Sequence, residues 1–541
     1  MRYLGPTVGT ARAATLNGAG ATIDVASNST TLTLNGSLTG PGALIKAGPG
    51  TLVLATGNAQ AGGTVINNGV LQINAAAAVN SPGVTNNGST LRIATGSTVT
   101  IGNVLDFEGT CTIDLNNTGG DTHLDGGWSG SGTINVINQQ NASRTVTVGG
   151  NGSSNDSGGH GNLVEFTGTI NMGTNSGSLR FNDGGANYNT GGTNATIDLG
   201  AGSATFLVRN GGITIDVGAL AGGPNTRVTG RGSGNSGTVT YSVGGKNTPA
   251  TFAGTITNST SGNATAITKV GTGTWTLSGA NTYTGPTIIS NGVLALSGSG
   301  SIATTPSIDI ISGAVLDASG RTDGTLVLGA GQTLLGEGAV HGGLTVSSNA
   351  ILSPGPSAGV ISKLTVTGAL TLQPGGILVM DVDNSSATND VIDGSASVTY
   401  GGTLSLNLLS VDLTSSFKLF NAASYGGAFD IITPASPGTG WVWDVSRLTV
   451  DGTLRVKTFA VTLPNITTTS IVGTNLTLGG TGGPPYLSYT VYASSDPSLP
   501  LASWSSIGTG IFKGDGSFVF TTPIDTSSSP QQFYAVQYTT P

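Results

Sequence analysis

The chain has 541 residues, a formal net charge of −8, and only 8% charged residues, against the ~25% of a typical soluble domain. No Lys/Arg cluster stands out, which excludes nucleic acid and anionic lipid as partners, since neither could be held without released counterions. Glycine (90) and proline (21) together make up about a fifth of the chain, below the roughly 25–30% that marks disorder, so the chain is expected to be ordered and rich in tight turns. The single cysteine, Cys111, allows no intrachain disulfide and reads as a small core residue. No 18-residue apolar run occurs, so no membrane-spanning helix is expected. Gly5, Pro6 and Gly9 interrupt the stretch after Met1-Arg2, so no signal peptide is expected within the chain.

In chain order, residues 1–16 (MRYLGPTVGTARAATL) read as an extended arm. Leu4, Val8 and Leu16 would be its assembly contacts, added as a strand to a neighbouring subunit. From residue 17 to 456 the pattern is a short alternating strand, a Gly/Asn corner, and another strand. Thr22-Ile23-Asp24-Val25, Thr31-Leu32-Thr33-Leu34 and Leu404 to Leu408 each have one apolar and one polar face, the period-2 signature of a half-buried strand. Asn-Gly corners begin at Asn17, Asn35, Asn68, Asn87, Asn151, Asn210 and Asn291, and each tolerates the positive φ of a sharp turn. No sustained helical period is present. The expected fold is all-β: a right-handed parallel β-helix, with coils of roughly 20–25 residues stacked at ~4.8 Å.

Two 29-residue segments align without a gap: KAGPGTLVLATGNAQAGGTVINNGVLQIN from Lys46 and KVGTGTWTLSGANTYTGPTIISNGVLALS from Lys269. Lys46/Lys269, Asn58/Asn281, Asn68/Asn291, Gly69/Gly292 and Leu71/Leu294 are among the identical pairs. One such coil cannot bury its apolar face alone, so neighbours must stack on it. These segments resemble the autotransporter-associated β-strand repeat, also called the passenger-associated transport repeat. The second copy follows that pattern almost throughout, with Trp275 at a usual leucine; the first departs at Ala59-Gln60. Leu352-Ser353-Pro354-Gly355 and the stretch from Tyr400 to Leu454 are similar to the C-terminal passenger portion of such proteins. The resemblance implies an extracellular, bacterial cell-surface adhesin or fibre; a homo-oligomer or filament is expected from strand addition by residues 1–16, and no enzymatic activity from the sparse chemistry below.

Chemistry is sparse. Asp106 and Glu108, or Asp121 and Asp125 with His123 between them, are the carboxylate pairs a solenoid glycosidase would need about 5 Å apart, but no basic residue lies near them in sequence. Residues 120–265 are the least repetitive; there Trp128, Arg180 and Tyr188 form a candidate glycan-binding edge. Asp381, Asp383, Asp390 and Asp393 are the densest oxygen cluster and a candidate calcium site, without an EF-hand spacing. No other cofactor is implied, and no catalytic residue is assigned. The alternative to a structural fibre is a β-helix carbohydrate-active enzyme or glycan-binding protein.

Near Lys457 the composition shifts to proline and aromatics. Tyr489-Thr490-Val491-Tyr492, Ser517 to Phe520 and Phe533 to Val536 alternate. Residues 457–541 are therefore expected to form a small fibronectin-like β-sandwich.

Overall fold

A computed structural model describes residues 1–79, 83–138, 145–148, 163–174, 177–181, 191–231, 236–385, 388–459, 463–524 and 531–538. The chain divides into two units, one of residues 1–306 with 314–322, the other of 307–313 with 323–541. No helix among the described residues is long and apolar enough to cross a membrane.

In the first unit the chain winds as a parallel β-helix. Ala21–Val25, Leu44–Ala47, Thr64–Ile66, Gly83–Asn87, Val104–Glu108 and Trp128–Gly130 pair in parallel, each with the next. Leu44 lies beside Thr64, which lies beside Val84, which lies beside Leu105, so one coil spans 20 or 21 residues here. A second face stacks Thr31–Leu34, Thr51–Leu54, Val70–Ile73 and Thr90–Ile93 in the same way. Because side chains alternate across a strand, every second residue of each coil points inward. Leu32, Leu52, Leu71, Leu91 and Ile113 thus form one interior ladder, and each is at most 3% exposed. Burying one such side chain contributes about 1.5–3 kcal/mol. Cys111 is buried, with its Sγ–H pointing at the carbonyls of Asn86 and Glu108.

The irregular middle region keeps this winding. Gly191–Asp198 and Ile213–Ala221 are long paired strands with a register shift between Gly192 and Thr196. The arm expected for residues 1–16 is instead a coil. Arg2–Tyr3, Val8–Thr10 and Ala14–Thr15 pair in parallel with Ala21–Val25, Thr31–Leu34 and Leu38–Gly40. The chain's low charge suits a stacked coil as well as a free strand, and backbone pairing with the next coil satisfies its donors on one side.

The second unit continues the parallel pattern. Thr333–Gly336, Ile351–Pro354, Ile377–Asp383, Thr403–Ser410 and Ile431–Thr433 form one ladder. Parallel stacking then stops, inside residues 17–456, the range expected for the β-helix. Ser416–Lys418, Thr453–Thr458 and Trp441–Asp444 make an antiparallel sheet, joined by the short helix Leu448–Asp451, which Gly452 ends at φ +76. The Tyr400 hydroxyl donates to the Leu448 carbonyl at 2.9 Å. Tyr400, Phe420 and Phe429 pack ring on ring under this cap. It closes the edge of the stack, which would otherwise template pairing.

Beyond it, Asn465–Val472, Asn475–Thr481 and Phe518–Pro523 form one antiparallel sheet, and Ser505–Ile511, Ser488–Ser494 and Phe533–Tyr538 another. Leu476, Leu478, Tyr489, Val491, Phe512, Phe518 and Phe520 form the core between them. This is the small β-sandwich that the alternation near Lys457 predicts.

Candidate functional site: coil clamps of the repeats

In Leu44–Ala47 the inward positions are Leu44 and Lys46; in Thr265–Lys269 they include Ile267 and Lys269. Both lysines are fully buried, at 0% exposure. A buried ammonium is costly unless its protons are taken up. Lys46 Nζ donates to the carbonyls of Ala47 (2.8 Å), Gly48 (2.7 Å) and Asn68 (2.9 Å). Lys269 Nζ does the same to Val270 (2.6 Å), Gly271 (2.8 Å) and Asn291 (3.1 Å). In each repeat the last of these carbonyls belongs to the next coil, so the side chain ties one corner to the one stacked on it. Burial pushes both ammonium groups down to about 8, while the three carbonyls supply an acceptor for every proton.

The repeat asparagine is a second clamp. Asn58 Oδ1 accepts the Leu38 N–H at 2.8 Å, and its Nδ2 donates to the Ala78 carbonyl at 2.8 Å. Asn281 Oδ1 accepts the Ile256 N–H at 2.8 Å, and its Nδ2 donates to the Ser301 carbonyl at 3.0 Å. Each amide thus joins the coil before it to the coil after it. Two positions on, Gln60 donates to Thr64 Oγ1 and Tyr283 shares a 2.6 Å bond with Thr287 Oγ1, so the departure at Gln60 keeps the polar contact. Gly69 and Gly292 sit at φ +73 and +64. A Cβ there would lie 2.5 Å from the Gly48 or Gly271 carbonyl oxygen, so the corner that receives the lysine requires glycine.

Removing the Asn281 amide leaves the buried Ile256 N–H without its acceptor, while the Ser301 carbonyl keeps the backbone N–H of residue 281 at 3.2 Å. Asn281→Ala is expected to cost about 1–3 kcal/mol, whereas Thr282→Ala, one residue on and exposed, changes stability by less than about 0.5 kcal/mol. Chemical unfolding of the two variants checks this.

The other expected site residues do not converge. Trp128 is 1% exposed and packs against Phe107 and Phe166 at ring-centroid distances of 5.2 and 6.0 Å. It is a core residue and presents no stacking face, because the alternation of its strand turns it inward. Arg180 lies on a different face, beside Thr147 and Leu207; Tyr188 lies outside the described residues. Leu16 is 4% exposed, while Leu4 and Val8 are 76% and 44% exposed. Asp106 and Glu108 accept hydroxyl protons from Ser129 and Ser131 of the next coil. Asp121 accepts the Thr145 N–H.

Among the described residues no three His, Cys, Asp or Glu side chains gather as metal ligands would. Asp381 and Asp390 are buried, and their oxygens accept from Gly359 N, Asn407 Nδ2, Ser362 N and Asp381 N. Asp383 accepts from Ser385, and Asp393 pairs with Lys363 and Asn421.

The class these features define is a parallel β-helix, or β-solenoid. The passenger-associated-transport-repeat family matches residues 44–73 and 267–296, the two segments that carry the clamps. The chain is also 44% identical over 72 residues to an adhesin of Brucella suis biovar 1 (strain 1330), the BmaC autotransporter. That match covers 13% of this chain and 2% of the relative's length. Likeness to this repeat family and to an autotransporter adhesin indicates an extracellular, cell-surface location.

Proposed function

We propose that this chain is a non-enzymatic adhesive β-helix protein that carries a small β-sandwich module. The observation that carries the reading is that the repeats devote their polar signature residues to holding coils together, leaving the outer faces for contact. Those faces are ladders of small polar side chains, as in the amide bonds Asn87 to Asn67 (2.8 Å) and Asn171 to Asn135 (3.1 Å). The likeness to a surface adhesin supports adhesion, and the use of Asp106, Glu108 and Asp121 as structural acceptors supports the absence of hydrolysis. Beads coated with the purified chain should bind cells or surface glycans above albumin-coated beads, and the protein should release no sugar from uronic-acid polymers. Binding at the albumin level, or sugar release, overturns this reading.

The finer part of the proposal is assembly into a filament by strand addition. Supporting it, Leu4 and Val8 are exposed. Asn465–Val472, an uncharged edge strand, is exposed except at Ile466. Pairing unlike edges of successive copies gives an open filament. Electron micrographs should show filaments of the full chain that are lost in Val8→Lys; separate particles at every concentration contradict it.

A further inference from the structure

The two clamp corners carry the same run, Asn-Gly-Val-Leu, at 68–71 and 291–294, and differ in one bond. Both asparagines are exposed. Both give their backbone carbonyl to a lysine, Asn68 to Lys46 Nζ at 2.9 Å and Asn291 to Lys269 Nζ at 3.1 Å. At the second corner the Gly292 N–H also donates to Oδ1 of the preceding side chain, Asn291, at 2.7 Å. Gly69 and Asn68 do not share such a bond. The amide carbon Cγ lies one bond beyond that oxygen, so the Gly292 nitrogen sits about 3–3.5 Å from it, the separation of a near-attack pair. Gly292 has no Cβ to screen the nitrogen, and the exposed corner lets water take its proton.

We propose that Asn291-Gly292 is a self-modifying corner, which closes to a succinimide and opens to an isoaspartate whose freed carboxylate pairs with Lys269. The Gly292 nitrogen gives its proton to water and bonds to Cγ of Asn291. The Lys269 ammonium on the carbonyl of the same peptide group stabilises the charge that forms as the proton leaves. The Cγ–Nδ2 bond breaks, and Nδ2 departs as ammonia with a proton from water. Water then adds at the Asn291 backbone carbonyl carbon, and the bond from that carbon to the Gly292 nitrogen breaks. The nitrogen regains a proton, the chain now runs through Cβ and Cγ, and the former backbone carbonyl is a free carboxylate. The sum is one water gained and one ammonia lost, with no oxidation. The oxygen that accepts from Lys269 Nζ belongs to this group. A neutral acceptor is thus exchanged for an anionic one, and the clamp becomes an ion pair, charged on both sides.

The test is incubation of the folded full chain for weeks at pH 8, beside a sample unfolded in urea, with isoaspartate counted at each corner by peptide mass spectrometry. Unfolded, the two corners should react alike, because their sequence is the same. Folded, Asn68 should react at least about tenfold more slowly than Asn291, since misplacing reacting atoms by about 1 Å costs that much or more. The amides of Ser290 and Val293, which bond to the Lys269 and Gly273 carbonyls, should keep their exchange protection, so that the ring closes in the intact corner. In the modified chain the Lys269 ammonium, which burial pushes down to about 8, should titrate at higher pH, because an adjacent anion favours its charged form. Equal rates at the two corners of the folded chain, or a faster Asn68, overturn the proposal. So does reaction only where Ser290 and Val293 lose protection, and so does a Lys269 titration that stays in place or falls after modification.

Discussion

Lys269→Met is expected to lower the stability of its coils by about 3–5 kcal/mol. Methionine fills nearly the same volume, so the loss is not one of packing. It removes three charge-assisted bonds and leaves the carbonyls of Val270, Gly271 and Asn291 without that donor, at roughly 1–3 kcal/mol for each one left buried and unsatisfied. Part of this is offset because the ammonium no longer has to be desolvated, which keeps the total at the lower end of the sum. Lys46→Met should behave alike, since its three acceptors are equivalent. Urea unfolding of both variants measures the effect, and a midpoint unchanged in both shows that the lysines are ornamental.

Leu294→Asp is expected to cost several kcal/mol as well, for a different reason. Leu294 is 0% exposed, between Trp275 on one coil and Leu316 on another in the interior ladder. The carboxylate has no cation within the ladder to meet, so it either takes up a proton at neutral pH or opens the coils around it. Leu294→Met, which keeps the volume, should cost less than about 1.5 kcal/mol. Thermal melting distinguishes the two; an unshifted transition in Leu294→Asp shows that the register is wrong.

Much of the fold was legible because a solenoid writes its rules locally. Alternation put Leu71 and Leu294 inward, and both are interior. The Asn-Gly corners at Asn68 and Asn291 fall where chains turn at positive φ. The lysine clamps were legible in the same way and were missed. Counting by twos from Leu44 or Ile267 places Lys46 and Lys269 inside, in a chain with very few charges. Their role did not show because the partners are backbone carbonyls, one of them 22 residues on, and carbonyls have no sequence signature. Trp128 misled for the opposite reason: in a polar, glycine-rich stretch a tryptophan looks like a surface platform, yet the parity of its strand turns it toward Phe107 and Phe166. The antiparallel cap was hidden because its strands alternate like those of the stack, and only pairing direction separates them. The four aspartates from 381 to 393 looked like one cluster because sequence shows proximity and not direction. Two point inward to backbone amides, and the other two serve separate turns and ladders.

The central claim is that the signature residues of the repeat hold one coil to the next. Residue-level hydrogen exchange of Lys269→Met beside the unaltered chain tests it most directly. Protection should fall in the coil from Ser290 to Leu296, where Ser290 N bonds to the Lys269 carbonyl, and should stay unchanged in Thr51–Leu54 and Val70–Ile73, where the Lys46 clamp is intact. Unchanged protection from Ser290 to Leu296, or an equal loss in both places, would contradict it.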